Sequence, residues 1–220
     1  METVCSICNR VRTTTKGGTS FHNLLKELRR EFKKVSIDLK IKSSAKKFLS
    51  TEEFYVNAYY DPEDDREKET PIEVIIYHNF DKELIWDKKQ VTDLLIQVFD
   101  AVIHEFKHQR QSRKRQFKQF WDHVDAGYHY HEYLQDPDEI DAYALSIAIE
   151  LCRTLGKHRA LRYMSKITTL ARLKVSDQFV SPNLNAYVVH FEKPFSPLLR
   201  RLAKKVYVRL QKVDTDFIFM

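Results

Sequence analysis

The chain has 220 residues, 43% of them hydrophobic and 31% charged, with 14 Phe and 11 Tyr, which excludes a disordered chain and indicates a globular protein with an aromatic core. Its four glycines, Gly17, Gly18, Gly127 and Gly156, cannot be arranged as GxGxxG or GxxxxGK(S/T), which excludes a Rossmann dinucleotide site and a P-loop. Three cysteines are too few for a disulfide framework, and a formal charge of +6 is only a mild bias toward an acidic partner.

Residues 1–18 read as a flexible N-terminal arm, METVCSICNRVR and then TTTKGGTS, with no apolar segment of signal-peptide type. Cys5-x-x-Cys8 is half of a zinc knuckle, and with no second CxxC to complete it the arm is expected to carry free thiols. A helix is predicted over about 19–34, with Phe21, Leu24, Leu25, Leu28 and Phe32 on one stripe. Strands are predicted near 35–42 (VSIDLKIK), 53–60 (EFYVNAYY) and 72–78 (IEVIIYH), the last two separated by the charged loop DPEDDREKET. A long helix follows over about 88–113, where Val91, Leu94, Leu95, Val98, Phe99, Val102, Ile103 and Phe106 keep the i, i+3, i+4 rule. A basic and aromatic stretch covers 107–133. The helix starting at Pro137 and running to about 155 is apolar nearly all round and should be central and buried. Helices near 157–173 and 196–212 close the chain. The order of elements is α+β: one domain over 19–220, with a sheet and long helix in 19–113 and a helical subdomain in 134–212. Runs such as IEVIIY and YALSIAIELC are too short to span a bilayer, so the expectation is a cytoplasmic chain with no membrane partner.

His104-Glu105-Phe106-Lys107-His108 is an HExxH motif. Two His one helical turn apart can both reach one metal ion, and the Glu beside the first can take a proton from a metal-bound water. At about 100° per residue, both His point roughly 150° away from the centre of the apolar stripe, so they are not core histidines. Two solvated surface histidines are the other reading of the same spacing. The best third ligand is Glu139, in DPDEIDAYA. The same carboxylate has a structural alternative, because Asp136 as N-cap, Pro137 at N1 and Glu139 at N3 also spell a capping box. Asp141 is a reserve ligand, or a partner that orients a ligand His through its other ring nitrogen.

Strands, an HExxH helix and a later helix bearing E-x-x-A resemble the gluzincin metallopeptidases. The segment EIDAYA is similar to that of the small gluzincins, including phage-repressor-cleaving peptidases and phage-encoded relatives. The likeness covers about residues 70–155; the Asn that follows the Ala in that family is Tyr143 here, Lys107 lies inside the HExxH turn, and a basic insert precedes Glu139. The resemblance implies a zincin-like fold with a small three-stranded or larger mixed sheet against the HExxH helix. It implies one catalytic zinc ion on His104, His108 and Glu139, with a fourth position for water and Glu105 as general base, and a protein or peptide substrate. The compartment implied is the host cytoplasm if the chain is phage-encoded. The oxyanion donor would come from His123, Tyr128, His129, Tyr130, His131 or Tyr133, with His131 the first choice and Tyr143 the next. A sheet edge could also add an extended peptide as a further strand.

The rival reading is a nucleic-acid-binding or phage structural protein on the same scaffold, without catalysis. It rests on residues 107–118, KHQRQSRKRQFK, whose Lys107, Arg110, Arg113, Lys114, Arg115 and Lys118 are accompanied by no acid. Arg200, Arg201, Lys204, Lys205 and Arg209 of the last helix add to it. A solvated helix face gives the same pattern, and the acidic loop Asp61–Glu69 is a candidate cover within the molecule.

Overall fold

The computed structural model describes residues 2–15, 18–35, 37–43, 53–67, 71–79, 84–118, 130–165, 180–191 and 196–218. They form a mixed α+β protein. Two compact units divide the chain after Lys118.

The first unit begins with a helix, α1 (Glu2–Thr14), where the sequence reads as an arm. Val4, Cys5, Ile7, Cys8 and Val11 are buried along one face of it. Counted as a small apolar side chain rather than as a metal ligand, Cys8 completes an i, i+3, i+4, i+7 stripe with Val4, Ile7 and Val11, and Cys5 lies beside it; this is the signal the arm reading passes over. The Cys8 thiol donates to the Leu95 carbonyl (3.9 Å). Burial pushes its pKa up to about 12, and the Cys5 thiol is raised by burial too. Both are therefore neutral packing groups.

Helix α2 (Phe21–Lys33) starts at Ser20, whose hydroxyl accepts from the Asn23 N–H, and it buries the predicted stripe of Phe21, Leu24, Leu25, Leu28 and Phe32. It is preceded by a two-residue strand, β1 (Thr19–Ser20), which pairs antiparallel with β5 (Ile85–Trp86). Gly18 makes the approach to this pair at φ +93°, a left-handed conformation that favours glycine. Phe21 stacks on Trp86 (centroids 4.8 Å apart), which also meets Phe54 (5.2 Å).

The three predicted strands are present as β2 (Ile37–Ser43), β3 (Phe54–Tyr60) and β4 (Ile72–His78), in the order β2-β4-β3. β2 runs parallel to β4 and β3 antiparallel to it. The register aligns Ile37, Ile72 and Tyr60 in one row, Leu39, Val74 and Ala58 in the next, and Ile41, Ile76 and Val56 in a third. Alternation in β3 and β4 thus brings the apolar positions of each to one face. Central β4 is buried at Ile72, Val74, Ile75 and Ile76, as a strand flanked on both sides should be. On edge strand β3, burial alternates, leaving Tyr55 and Tyr59 exposed.

Helix α4 (Lys88–Lys114) packs on β3, β4 and α1 through Val91, Leu94, Leu95, Val98, Phe99, Val102 and Ile103, all buried. The charged loop before β4 contains a short helix, α3 (Pro62–Glu67). Its Asp65 is buried and takes four hydrogen bonds: two from Arg113 (2.9 and 2.6 Å), one from Gln109 (3.1 Å) and one from Tyr60 (2.9 Å). The expected acidic cover over the basic stretch is therefore real at one residue, and Arg113 is committed to it. A second buried carboxylate, Glu31, accepts from Lys34 (2.7 Å) and Arg10 (3.1 and 3.2 Å), joining α2 to α1.

The second unit is helical: α5 (Tyr130–Tyr133), α6 (Pro137–Leu155), α7 (Lys157–Ser165), α8 (Pro182–Phe191) and α9 (Pro197–Lys212), followed by a short 3-10 turn at Thr215–Phe217. α6 packs against α7, α8 and α9, and buries residues on every side, including Ile140, Ala144, Ile147 and Leu151, as its all-round apolarity predicts. α9 buries Leu199, Leu202, Val206 and Leu210. α8 is an element the sequence reading omits. It is anchored by Glu150 of α6, whose carboxylate accepts from Asn183 Nδ2 (2.6 Å) and from the Ser181 hydroxyl. Of the predicted helix over 157–173, α7 covers the first part, and 166–173 lie outside the described residues.

Asp65→Asn is expected to lower the unfolding free energy in urea by about 2–3 kcal/mol, since it weakens a buried charge-assisted network, while Asp64→Asn changes it by less than about 0.5 kcal/mol. Arg113 holds the Asp65 carboxyl below the usual range, and Lys34 with Arg10 does the same for Glu31. A lowered folded-state pKa adds stability that is complete above the unfolded value and is lost as pH falls through the folded one. Wild-type stability should therefore drop below about pH 4, and Asp65→Asn with Glu31→Gln should flatten that part of the curve.

Candidate metal centre

The HExxH motif lies in the second half of α4. The helix is fixed at its start by a reciprocal cap, in which the Asp87 carboxylate accepts the Gln90 N–H (2.8 Å) and the Gln90 amide oxygen accepts the Asp87 N–H (2.9 Å). Burying the apolar stripe on the sheet turns the opposite face outward, and His104 and His108 stand on that face, half-buried. Their Nε2 atoms are 3.1 Å apart and the rings meet edge to face, with centroids 4.9 Å apart. Two nitrogens of a tetrahedral zinc site, each about 2.0–2.1 Å from the ion, lie roughly 3.3 Å apart. The observed pair is close to that spacing. Glu105, between them in sequence, is half-buried. Gln97, seven residues before His104, accepts the Val56 N–H of β3 (3.3 Å), so one backbone donor of this edge strand is already taken by the helix.

The start of α6 shows how that helix is capped. Asp136 caps the helix by accepting the Asp138 N–H (2.6 Å), with Pro137 at the first helical position. In a capping box the Glu side chain would return to the N–H of the cap residue. Here the Asp136 N–H donates to the Tyr133 carbonyl instead (3.1 Å). The helix is capped without Glu139, whose carboxylate accepts a hydrogen bond from the Tyr133 phenol. Burial, and next the negative charge of Glu139, push the Tyr133 hydroxyl far above the ordinary tyrosine range, so it stays protonated and acts as a donor.

The donor atoms of His104, His108 and Glu139, one from each residue, all lie within 4.8 Å of one another. Two imidazoles and a carboxylate that converge in this way can hold a metal ion. The remaining candidates fare differently. Asp141 accepts from Arg209 (2.8 Å to each oxygen) and Lys205 (3.1 Å) of α9, which corrects its reading as a reserve ligand or a partner of a ligand His. Tyr143 follows Glu139 by one helical turn, and its ring packs edge to face on Tyr133 (6.5 Å) and Tyr187 (5.3 Å). Tyr187 in turn donates to the Leu134 carbonyl (3.1 Å), which fixes the turn between α5 and α6. His131 belongs to α5, but its side chain lies outside the described residues, as do His123, Tyr128 and His129 altogether. Among the described residues no other group of three metal-ligating side chains converges, and Cys5 and Cys8 are not part of one.

Tyr133 is the contributor that sequence reasoning passes over. It appears there only as one of several aromatic donors, six positions before Glu139. The signal that could have found it is the Asp136-Pro137 helix start, which folds the chain back and returns residue 133 to the first turn of α6.

No family model, curated protein or solved structure matches the chain. Among the described residues, no helix is long and apolar enough to cross a membrane.

A metal that binds the folded state alone raises stability by about 2.7 kcal/mol at one hundred times its dissociation constant. Added zinc should therefore raise the thermal midpoint of the metal-free wild type, and His104→Ala should abolish that rise. In Tyr133→Phe the rise should persist with zinc affinity reduced about tenfold, the usual cost of losing a partner that orients a ligand. Chelator competition measures the affinity.

Proposed function

We propose that this chain is a zinc-dependent hydrolase of the metallopeptidase type, on a gluzincin-like α+β scaffold, that cleaves a peptide bond. The observation that carries the reading is the convergence of His104, His108 and Glu139. It is supported by the commitments of the alternative donors: Asp136 and the Tyr133 carbonyl cap α6, and Asp141 is engaged by α9.

Zinc suits two neutral imidazoles and one carboxylate better than magnesium or calcium, which favour all-oxygen sites. Once bound, the ion would supply Lewis acidity to a substrate carbonyl and make water a nucleophile near neutral pH. The chain's own residues supply the rest. Both imidazoles must present a bare Nε2, which sets the Nδ1–H tautomer for each ring. Glu105, one residue after His104, is the general base. Its carboxylate would accept the proton of the attacking water and pass it to the departing amine. The Tyr133 hydrogen bond holds the Glu139 carboxylate in one orientation. Tyr143 is the described side chain best placed in sequence to donate to a developing oxyanion, since it follows Glu139 by a single turn; His131 is the other candidate.

Two measurements test this reading. Elemental mass spectrometry of the untagged protein should find one zinc per chain. Digestion of a peptide library, followed by mass spectrometry, should give cleavage that falls at least about a hundredfold in Glu105→Gln, with the zinc retained. Absence of zinc after supply during expression overturns the metal assignment. Equal cleavage by Glu105→Gln overturns the role of Glu105.

A further inference from the structure

The positive charge of this chain is concentrated where the metal chemistry does not use it. α7 and α9 together span 25 residues and hold nine of the chain's 37 Lys and Arg but none of its 31 Asp and Glu. The other 195 residues, with 28 cations against 31 acids, carry a net charge of −3. The two helices are neighbours. They pack on each other, and Lys157 at the start of α7 donates to the Val213 carbonyl just after α9 (2.7 Å). Asp141 engages Lys205 and Arg209. Arg159, Arg162, Arg201, Lys204 and Lys212 are exposed.

Elsewhere the same chain builds exposed helix faces differently. Arg30 pairs with Glu27 on α2, and Lys89 pairs with Asp93 on α4. Such pairs at i, i+3 or i, i+4 stabilise a helix, and like charges at those spacings destabilise it. Arg201 and Lys204 stand in like-charge spacing on α9 with no acid on the helix to relieve them. A partner that carries negative charge would relieve the repulsion.

We propose that α7 and α9 form a binding surface for the phosphate backbone of duplex nucleic acid. A membrane is disfavoured, because the apolar stripe of α9 is buried in the protein and the only large apolar side chain exposed on either helix among the described residues is Val208. Single strands are read by aromatic platforms, and Tyr163 and Tyr207 are half-buried rather than presented. What remains is charge spaced along a helix about 24 Å long, which suits sequence-independent contacts to successive phosphates. This surface is independent of Glu105 and of the metal. It also differs from the basic stretch over 107–118 weighed from sequence, where Arg113 is committed to Asp65.

The test is fluorescence anisotropy of a labelled 20-base-pair duplex of arbitrary sequence with the full chain. With about four phosphates contacted, affinity should fall roughly a hundredfold between 50 and 200 mM salt. The double reversal Arg201→Glu with Lys204→Glu should weaken binding at least tenfold, and Arg159→Glu with Arg162→Glu should do likewise. Lys114→Glu with Lys118→Glu makes the same change in net charge at another exposed place, and should change affinity by less than threefold. Glu105→Gln should bind as wild type does. Circular dichroism verifies that each variant is folded. The proposal is overturned if wild type does not bind the duplex at 50 mM salt, if the reversal at 114 and 118 weakens binding as much as those on α7 and α9, or if a single strand of the same length or phosphatidylserine vesicles compete better than unlabelled duplex.

Discussion

Seven apolar side chains on one stripe of α4, from Val91 to Ile103, are buried against the sheet and α1, and the rest of the first unit is arranged around that burial. At roughly 1.5–3 kcal/mol for each large side chain removed from water, this stripe outweighs any single polar contact in the unit. It sets the rotation of the helix about its own axis. A rotation of the stripe by one residue, about 100°, would carry His104 and His108 away from the face they share. The imidazoles are thus aimed by a stripe on the other side of the helix. Asp65, binding Arg113 and Gln109, ties down the last turns of the same helix just beyond the second histidine.

Glu139 is positioned by a different means. A carboxylate in the first turn of a helix is normally drawn into capping the free N–H groups there. In α6 that demand is met by Asp136, by a proline that needs no acceptor, and by the Tyr133 carbonyl. Glu139 is released from a local duty and accepts from the Tyr133 hydroxyl. Its place in the first turn, free of the cap, follows from backbone arrangements that precede the helix.

Much of this was legible in the sequence because it is periodic. Alternation located the three strands, and the 3.6-residue period located α2, α4, α6 and α9 to within a residue or two. The HExxH spacing located two ligand candidates, and the helix-start signature drew attention to Glu139. Features that depend on pairing at a distance were not legible. The strand order cannot be read from alternation, since each strand looks alike to its neighbours. Asp65 is one of several acids in a charged loop, and only the fold selects it. α1 was hidden by reading two cysteines for their chemistry when their size mattered, and Tyr133 by a hydrogen bond that spans a turn.

The order β2-β4-β3 also governs how the sheet can be built. The strands adjacent in sequence, β2 and β3, are not partners; each pairs only with β4, which comes last. No hairpin can form early and wait. During synthesis, β2 and β3 emerge before the strand that both of them pair with, and acquire that partner only when 72–78 is available to fill the gap between them. Closing that gap from both sides at once makes sheet formation a single non-local event, and such events are slow. Until it happens the stripe of α4 has only α1 to pack against, so the sheet side of the helix, opposite the two histidines, is completed only after the middle strand is in place.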